Sequence, residues 1–310
     1  MGVLKIILPV IVMLAIGVLC RKKQLISEAG IDGFQALVMN FALPAVLFLN
    51  FYNNSISADM VLLPVVLFVI TLAGIFVGKL VCRLFRQRDP AMPLMMAGYE
   101  AGQLGYTLLA LLVGSSMLSR FAVMDIGHTL AIFTVYIAMV KGIGGEKQTA
   151  GETIKGILTT PVLIAVFAGL IVSLSGLGAF LTSSGAGEVV DAVFDFISAP
   201  TSALILVVIG YRMAFSLDSV KAVLKASVIR ILIQAVFFAV IYLVFKQLGG
   251  IFSEEITLIS LAVMFILPPP YVLPIYLKDK EKKTFYSTAL SFYTILSMVA
   301  FFLLSILVAG

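Results

Sequence analysis

The chain has 310 residues, 61% hydrophobic and 12% charged, with a mean hydropathy of +1.15. An ordinary soluble domain is about half apolar and a quarter charged, so the composition excludes a soluble domain and leaves a polytopic membrane protein. The net charge of +5 calls for no nucleic-acid partner, because basic residues beside an anionic lipid leaflet account for it.

From the first residue onward, apolar runs recur at about 20 residues, the length a helix needs to cross ~30 Å of hydrocarbon. Ten are read, at 3–20, 33–51, 60–82, 91–113, 121–140, 160–181, 189–211, 228–249, 256–277 and 285–308. The first is not expected to be a cleaved leader. Arg21, Lys22 and Lys23 follow its apolar run rather than precede it, and no small-residue cleavage pattern comes after. Long unbroken runs also argue against a barrel of alternating strands. The expected class is therefore all-α and polytopic.

Basic residues orient the spans, since cytoplasmic loops collect Lys and Arg. With the N-terminus outside, eighteen of the 21 Lys and Arg fall on the cytoplasmic side, and only Lys5, Arg120 and Lys246 fall outside. Both termini and the loops at 52–59 and 250–255 are then extracytoplasmic, while 83–90, 141–158 and 278–284 face the cytoplasm. Cys20 and Cys82 lie at cytoplasmic ends, where thiols stay reduced, so no disulfide is expected.

The longest cytoplasmic connection, 141–159, divides ten spans into five plus five: a first repeat over 1–140 and a second over 160–310. An odd number per half inverts the second relative to the first, an arrangement common in secondary transporters. Faint internal similarity agrees, with NFALPAVLFL around Pro44 in the second span and FISAPTSALI around Pro200 in the seventh.

The ninth run reads ILPPPYVLP from Ile266. Pro268, Pro269 and Pro270 remove three backbone donors, and their rings clash with the preceding turn. A continuous helix cannot pass through them, and in lipid a broken helix survives only where protein or a wet cavity covers it. A kink without function is the plainer alternative. The fourth run, the ninth's counterpart, reads MAGYEAGQLGYTLL, with Gly98, Gly102, Gly105 and Glu100 at mid-depth. Those glycines alone would suit close helix packing, but paired interruptions in the two halves point to a transport site.

These segments carry a family resemblance over essentially the full length. NFALPAVLF, GYEAGQLGYTL, and PPPYVLPIY followed by YSTALSFYTILS resemble, in order and spacing, the auxin efflux carrier family of permeases. That family falls within the wider fold group of bile-acid/sodium symporters. The resemblance implies ten helices in two inverted repeats, with broken fourth and ninth helices crossing at the site. It implies organic-anion substrates: auxin in plants, and dicarboxylates such as malate or malonate in bacteria. This chain departs from the commoner pattern at Glu100, where many members have Asn, and at Thr107, where they have Pro.

The residues themselves suggest the same kind of site. A helix restarted at mid-membrane presents unpaired amides with partial positive charge, and two such ends converging suit a carboxylate. Gly102, Gln103, Pro269 and Tyr271 at the breaks, with Asn40, Gln234 and Ser291 on other spans, are candidate substrate-binding residues. Glu100 is the candidate coupling residue, because a carboxylate at mid-membrane costs roughly 2.5–3.5 kcal/mol on insertion scales. A proton, a sodium ion or a cationic substrate group would each offset that cost. Asp195, before Pro200, is a further polar candidate for ion coupling. Asp125 and His128, at i and i+3 on one helix face, read either as a proton relay or as a polar pair that locks packing near the outer surface.

One histidine and no clustered cysteines give too few ligands for a metal site. KGIGGEKQT lacks the spacing of a phosphate loop, so ATP is not the direct energy source, and no cofactor is expected. The expected function is gradient-driven transport of a small organic anion in the cell membrane. The expected partners are that anion, a proton or sodium ion and the bilayer; a homodimer stays open. A ligand-binding membrane receptor is the alternative, and an intramembrane enzyme a third.

Overall fold

A computed structural model describes residues 2–53, 58–146, 149–177, 180–181, 185–213 and 220–309. Met1, Gly310, the loop residues 54–57, Lys147 and residues 178–179 of the sixth run, on which expectations above bear, lie outside the described residues. Every described element is helical. In chain order they are α1 (Gly2–Lys22), α2 (Glu28–Tyr52), α3 (Asp59–Leu84), α4 (Met92–Met95), α5 (Ala101–Val113) and α6 (Ser119–Ile143). Then follow α7 (Ala150–Leu158), α8 (Pro161–Leu174), α9 (Ala186–Arg212), α10 (Lys221–Leu248), α11 (Glu255–Ile266) and α12 (Lys280–Val308).

Six of these, α2, α3, α6, α9, α10 and α12, are long and apolar enough to cross a membrane, and the bent pair α7–α8 makes a seventh if counted as one span. Large apolar side chains such as Phe76, Leu80, Val236 and Leu307 stand exposed along them, as a lipid-facing surface requires. The protein is a multi-pass membrane protein.

Local chemistry sets the boundaries. Ser27 caps α2 by accepting from the Gly30 amide at 3.1 Å, and Glu28 in the first turn complements the helix dipole. The cytoplasmic connection expected between the halves is not a plain loop. It holds α7, started by a capping box in which Thr149 and Glu152 bond each other's backbone amides. Thr160 is extended because it precedes Pro161, and there α7 and α8 bend by 57°. α10 begins near Lys221 rather than 228, since Lys221 and Lys225 continue the helix beyond its apolar core. That moves Arg230 from the span end, where the charge pattern put it, to a depth of more than two turns.

Both expected interruptions exist. The fourth run is helical over Met92–Met95, leaves the helix through Gly98, Tyr99 and Glu100, and restarts at Ala101. Gly98 has φ +68°, and a Cβ there would lie 2.9 Å from the Pro270 ring, so only glycine fits. α11 stops at Ile266 because Leu267 is held extended before Pro268. The chain resumes as one short turn, Leu273–Tyr276.

The breaks lie at the seam of two apolar cores. One contains Tyr99, Leu104, Phe121, Phe265 and Leu267. The other contains Met95, Ala97, Ile132, Leu273 and Leu290.

α1 packs along α9, and α8 packs along α2. Gly17 faces the Val207 carbonyl and Gly210 faces that of Leu14, while Gly169 lies against Phe48 and Phe51. A methyl at Gly210 has no room beside the Leu14 backbone. Gly210→Ala should therefore destabilise the protein by about 1–3 kcal/mol. Gly33→Ala, where nothing lies within 4 Å, should not; thermal unfolding in detergent compares the two.

Candidate functional site

A helix broken inside a membrane leaves carbonyls on one side of the gap and amides on the other, and each needs a partner. Here one side chain takes most of the carbonyls. Arg230 on α10 is 1% exposed. Its guanidinium donates to the carbonyls of Met95 at 2.9 Å, Ala97 at 3.3 Å and Gly98 at 2.7 Å from the fourth run, and of Leu267 at 3.2 Å from the ninth. The fixed fork of five donors makes this possible. The rings of Tyr99 and Tyr293 flank it at 5.7 and 5.5 Å, within cation–π range.

One turn on, Gln234 donates to the Met96 carbonyl at 2.9 Å and accepts from the Tyr99 hydroxyl at 2.8 Å. Ser297 donates to the Ile266 carbonyl at 2.6 Å.

The breaks also bond each other. The Glu100 amide donates to the Pro268 carbonyl at 2.9 Å. In return the Tyr271 amide donates to the Glu100 carboxylate at 2.6 Å. Glu100 sits at the N-cap of α5, where negative charge is favoured. The anion position expected between the restarted helices is thus held by the protein's own carboxylate. Among the described residues Glu100 makes no ion pair, and Arg230 stays on the carbonyl side of the broken backbone.

The amide side opens into a cavity of about 490 Å³. Glu100, Gln103, Tyr271, Asp125, His128 and Ser291 line its deep part, and it runs to Thr160, Arg212, Met213 and Ile275 at the basic ends of the helices. On the opposite side of the breaks the chain is close-packed: Tyr106 meets Phe121 edge-on at 4.9 Å, and Gly105 abuts Phe121 and Leu267. Three π-helical turns, 38–42, 101–105 and 132–136, each supply lining residues (Met39; Gly102 and Gln103; Ile132 and Phe133). Such turns recur at functional sites.

Several sequence candidates lie elsewhere. Asn40 is exposed and donates to the Ala36 carbonyl at 2.8 Å, because the π turn rotates Met39, not Asn40, toward the cavity. Asp195 is exposed in a separate depression with Asn50, Ser115 and Asp191. Gln234 sits behind the break rather than in the cavity. Gly102 is not a point of backbone approach, since its nearest neighbour is the Met39 methyl at 3.5 Å; that role falls to Gly98 and Gly105. Pro268 and Pro269 form the break behind the cavity wall, which Pro270 joins.

Asp125 and His128 are buried and line the cavity. The Tyr99 amide donates to His128 Nε2 at 3.0 Å, His128 Nδ1 is 3.0 Å from Asp125, and the Tyr106 hydroxyl donates to Asp125 at 3.0 Å.

Arg230 is the functional residue that the sequence reading undervalued. The available signal was an arginine within an apolar run, with a glutamine one turn later. Arg230→Met should orphan four carbonyls at once and cost more than the about 1–3 kcal/mol of a single buried unsatisfied group. Arg230→Lys should recover only part, because one ammonium cannot span both breaks; melting temperatures of the two variants test this.

Comparison with known proteins points to membrane transport. A family model described as "Membrane transport protein" matches residues 3–153. A protein of Methanothermobacter thermautotrophicus named "Uncharacterized transporter" is 25% identical over 266 residues, 83% of each chain. Together with the resemblance of the second, fourth, ninth and tenth runs to auxin efflux carriers, these similarities support a membrane transporter of that kind.

Proposed function

We propose that the protein is a secondary-active transporter that carries a small organic anion across the cell membrane by alternating access, with a proton taken on Glu100. One observation carries this reading. A cavity leads from the basic ends of the helices to two hydrogen-bonded helix breaks, and packed aromatic side chains close the far side. A site reached from one side at a time is what alternating access requires.

The reading includes ten spans in two inverted halves, 1–140 and 160–310, with both termini extracytoplasmic. The packing pairs support it: α1 with α9 and α8 with α2 are, in span number, first with seventh and sixth with second. Exchanging the halves turns one pair into the other. In that orientation the cavity opens to the cytoplasm.

The anion class comes from the family. Gln103, Ser291, Thr294 and the Tyr271 hydroxyl offer hydrogen bonds to it. Its carboxylate meets Glu100, and two carboxylates in one site hold a proton between them. A proton is favoured over sodium because Arg230 already takes the carbonyls a metal ion would use. A receptor that moves nothing is the second reading, which the family and the relative's name do not favour.

Proteoliposomes with an imposed pH gradient and labelled malonate, malate or an indole acid test the proposal. Glu100→Gln should abolish gradient-driven accumulation yet permit exchange of pre-loaded substrate. Gly102→Leu, which fills the cavity, should stop both. Full concentrative uptake by Glu100→Gln with unchanged pH dependence would remove Glu100 from the coupling.

A further inference from the structure

An amide can only donate, so His128 Nε2, facing the Tyr99 amide at 3.0 Å, carries no proton. The imidazole is therefore neutral, and Nδ1 holds the hydrogen it donates to Asp125 Oδ1 at 3.0 Å. Asp125 also accepts from the Tyr106 hydroxyl at 3.0 Å and from Thr129 at 3.3 Å, which fixes the ring from behind. The acceptor nitrogen faces the break itself, beside the cavity that Asp125 and His128 line. We propose that His128 Nε2 is a proton-binding site in direct competition with the Tyr99 amide, so that a proton arriving through the cavity unlatches the broken span.

The balance is simple. The proton adds to the Nε2 lone pair, the ring becomes an imidazolium held by Asp125, and the Tyr99 amide, now facing another N–H, must leave. Tyr99 is the residue where this matters most. On one side of it the Gly98 carbonyl is held by Arg230, and its own hydroxyl by Gln234; on the other side Glu100 is bonded to Pro268 and Tyr271. Release at Tyr99 leaves the Gly98–Tyr99 peptide, which joins the carbonyl side to the amide side of the gap, held through its carbonyl alone. It also puts a positive charge in the cavity wall, where an anion binds.

The ionisable groups around His128 are Asp125 and Tyr106, Tyr99 with Arg230 beyond its ring, and Glu100, Tyr271 and Arg212 across the cavity. Those of α2, α3, α7 and α11 packed against α6, namely Glu28, Asp32, Tyr52, Asp59, Lys79, Cys82, Arg83, Glu152, Lys155 and Glu255, lie toward the ends of the bundle's helices or on the short α7.

The consequence for transport rests on the transport reading; the proton site does not. His128 is the chain's single histidine, so ¹⁵N-histidine labelling of the untagged full chain in nanodiscs gives ring signals from this residue alone. At pH 8 the expected spectrum is the neutral Nδ1–H tautomer. Toward pH 5 both nitrogens should become protonated, with a parallel loss of at least tenfold in the hydrogen-exchange protection of the Tyr99 amide, scaled to intrinsic rates.

His128→Gln sets its amide oxygen where Nε2 was, so it should keep the protection at every pH. An Nε2–H tautomer at pH 8, a ring still neutral at pH 5, or Tyr99 protection that ignores pH would each overturn the proposal. The wild-type measurements decide it even if the variant fails to fold, and lack of uptake in proteoliposomes would overturn only the transport reading.

Discussion

The structure depends on one guanidinium. Two helices are broken inside the apolar core, and the C-terminal carbonyls of both first halves converge on Arg230. Without that donor, four strong acceptors would stand in a region that water does not reach. A buried charge is ordinarily matched by an opposite charge. Arg230 is matched instead by carbonyl dipoles and two aromatic faces, so most of the cost of two interrupted spans is offset by one residue that sees both.

This arrangement separates charge by means of the backbone. The negative ends of the first halves face Arg230, while the positive end of α5 faces Glu100. The two side chains belong to one small region yet form no ion pair, because the broken segments pass between them. Glu100 is thereby left on the cavity side, bonded by the Tyr271 amide. His128 reaches the same segment from α6 and accepts the amide hydrogen of the peptide whose carbonyl Arg230 holds. Carbonyls, amides and the joining peptide thus have three different custodians, on α10, α11 with its following turn, and α6.

The two cores give this region its mechanical setting. Residues before the fourth break pack in one core and those after it in the other, and the ninth run crosses the same seam in reverse. Movement of one core against the other must therefore act on the hydrogen bonds between Glu100, Pro268 and Tyr271. A helix that ran straight through both cores would resist such movement along its whole length.

The sequence by itself determined the solvent and the weak points. Composition placed the chain in a membrane, run lengths gave helices, and the residue types at 98–105 and 268–270 located both breaks, because proline and positive φ act locally. Glu100, Gln103 and Tyr271 were legible for the same reason, being neighbours of the breaks in the chain.

What only the tertiary structure decided is which distant side chain meets each broken group. Arg230 was counted with the loop charges because its helix begins two turns earlier than its apolar run. Asn40 turns away from the cavity because a π turn shifts the helix face by a residue, and hydropathy does not encode that shift. Asp125 and His128 gained their partners from Tyr99 and Tyr106, residues of another run that only packing brings near. Local stereochemistry is written in adjacent residues, whereas the partner of a buried donor or acceptor is set by how helices far apart in the chain are brought together.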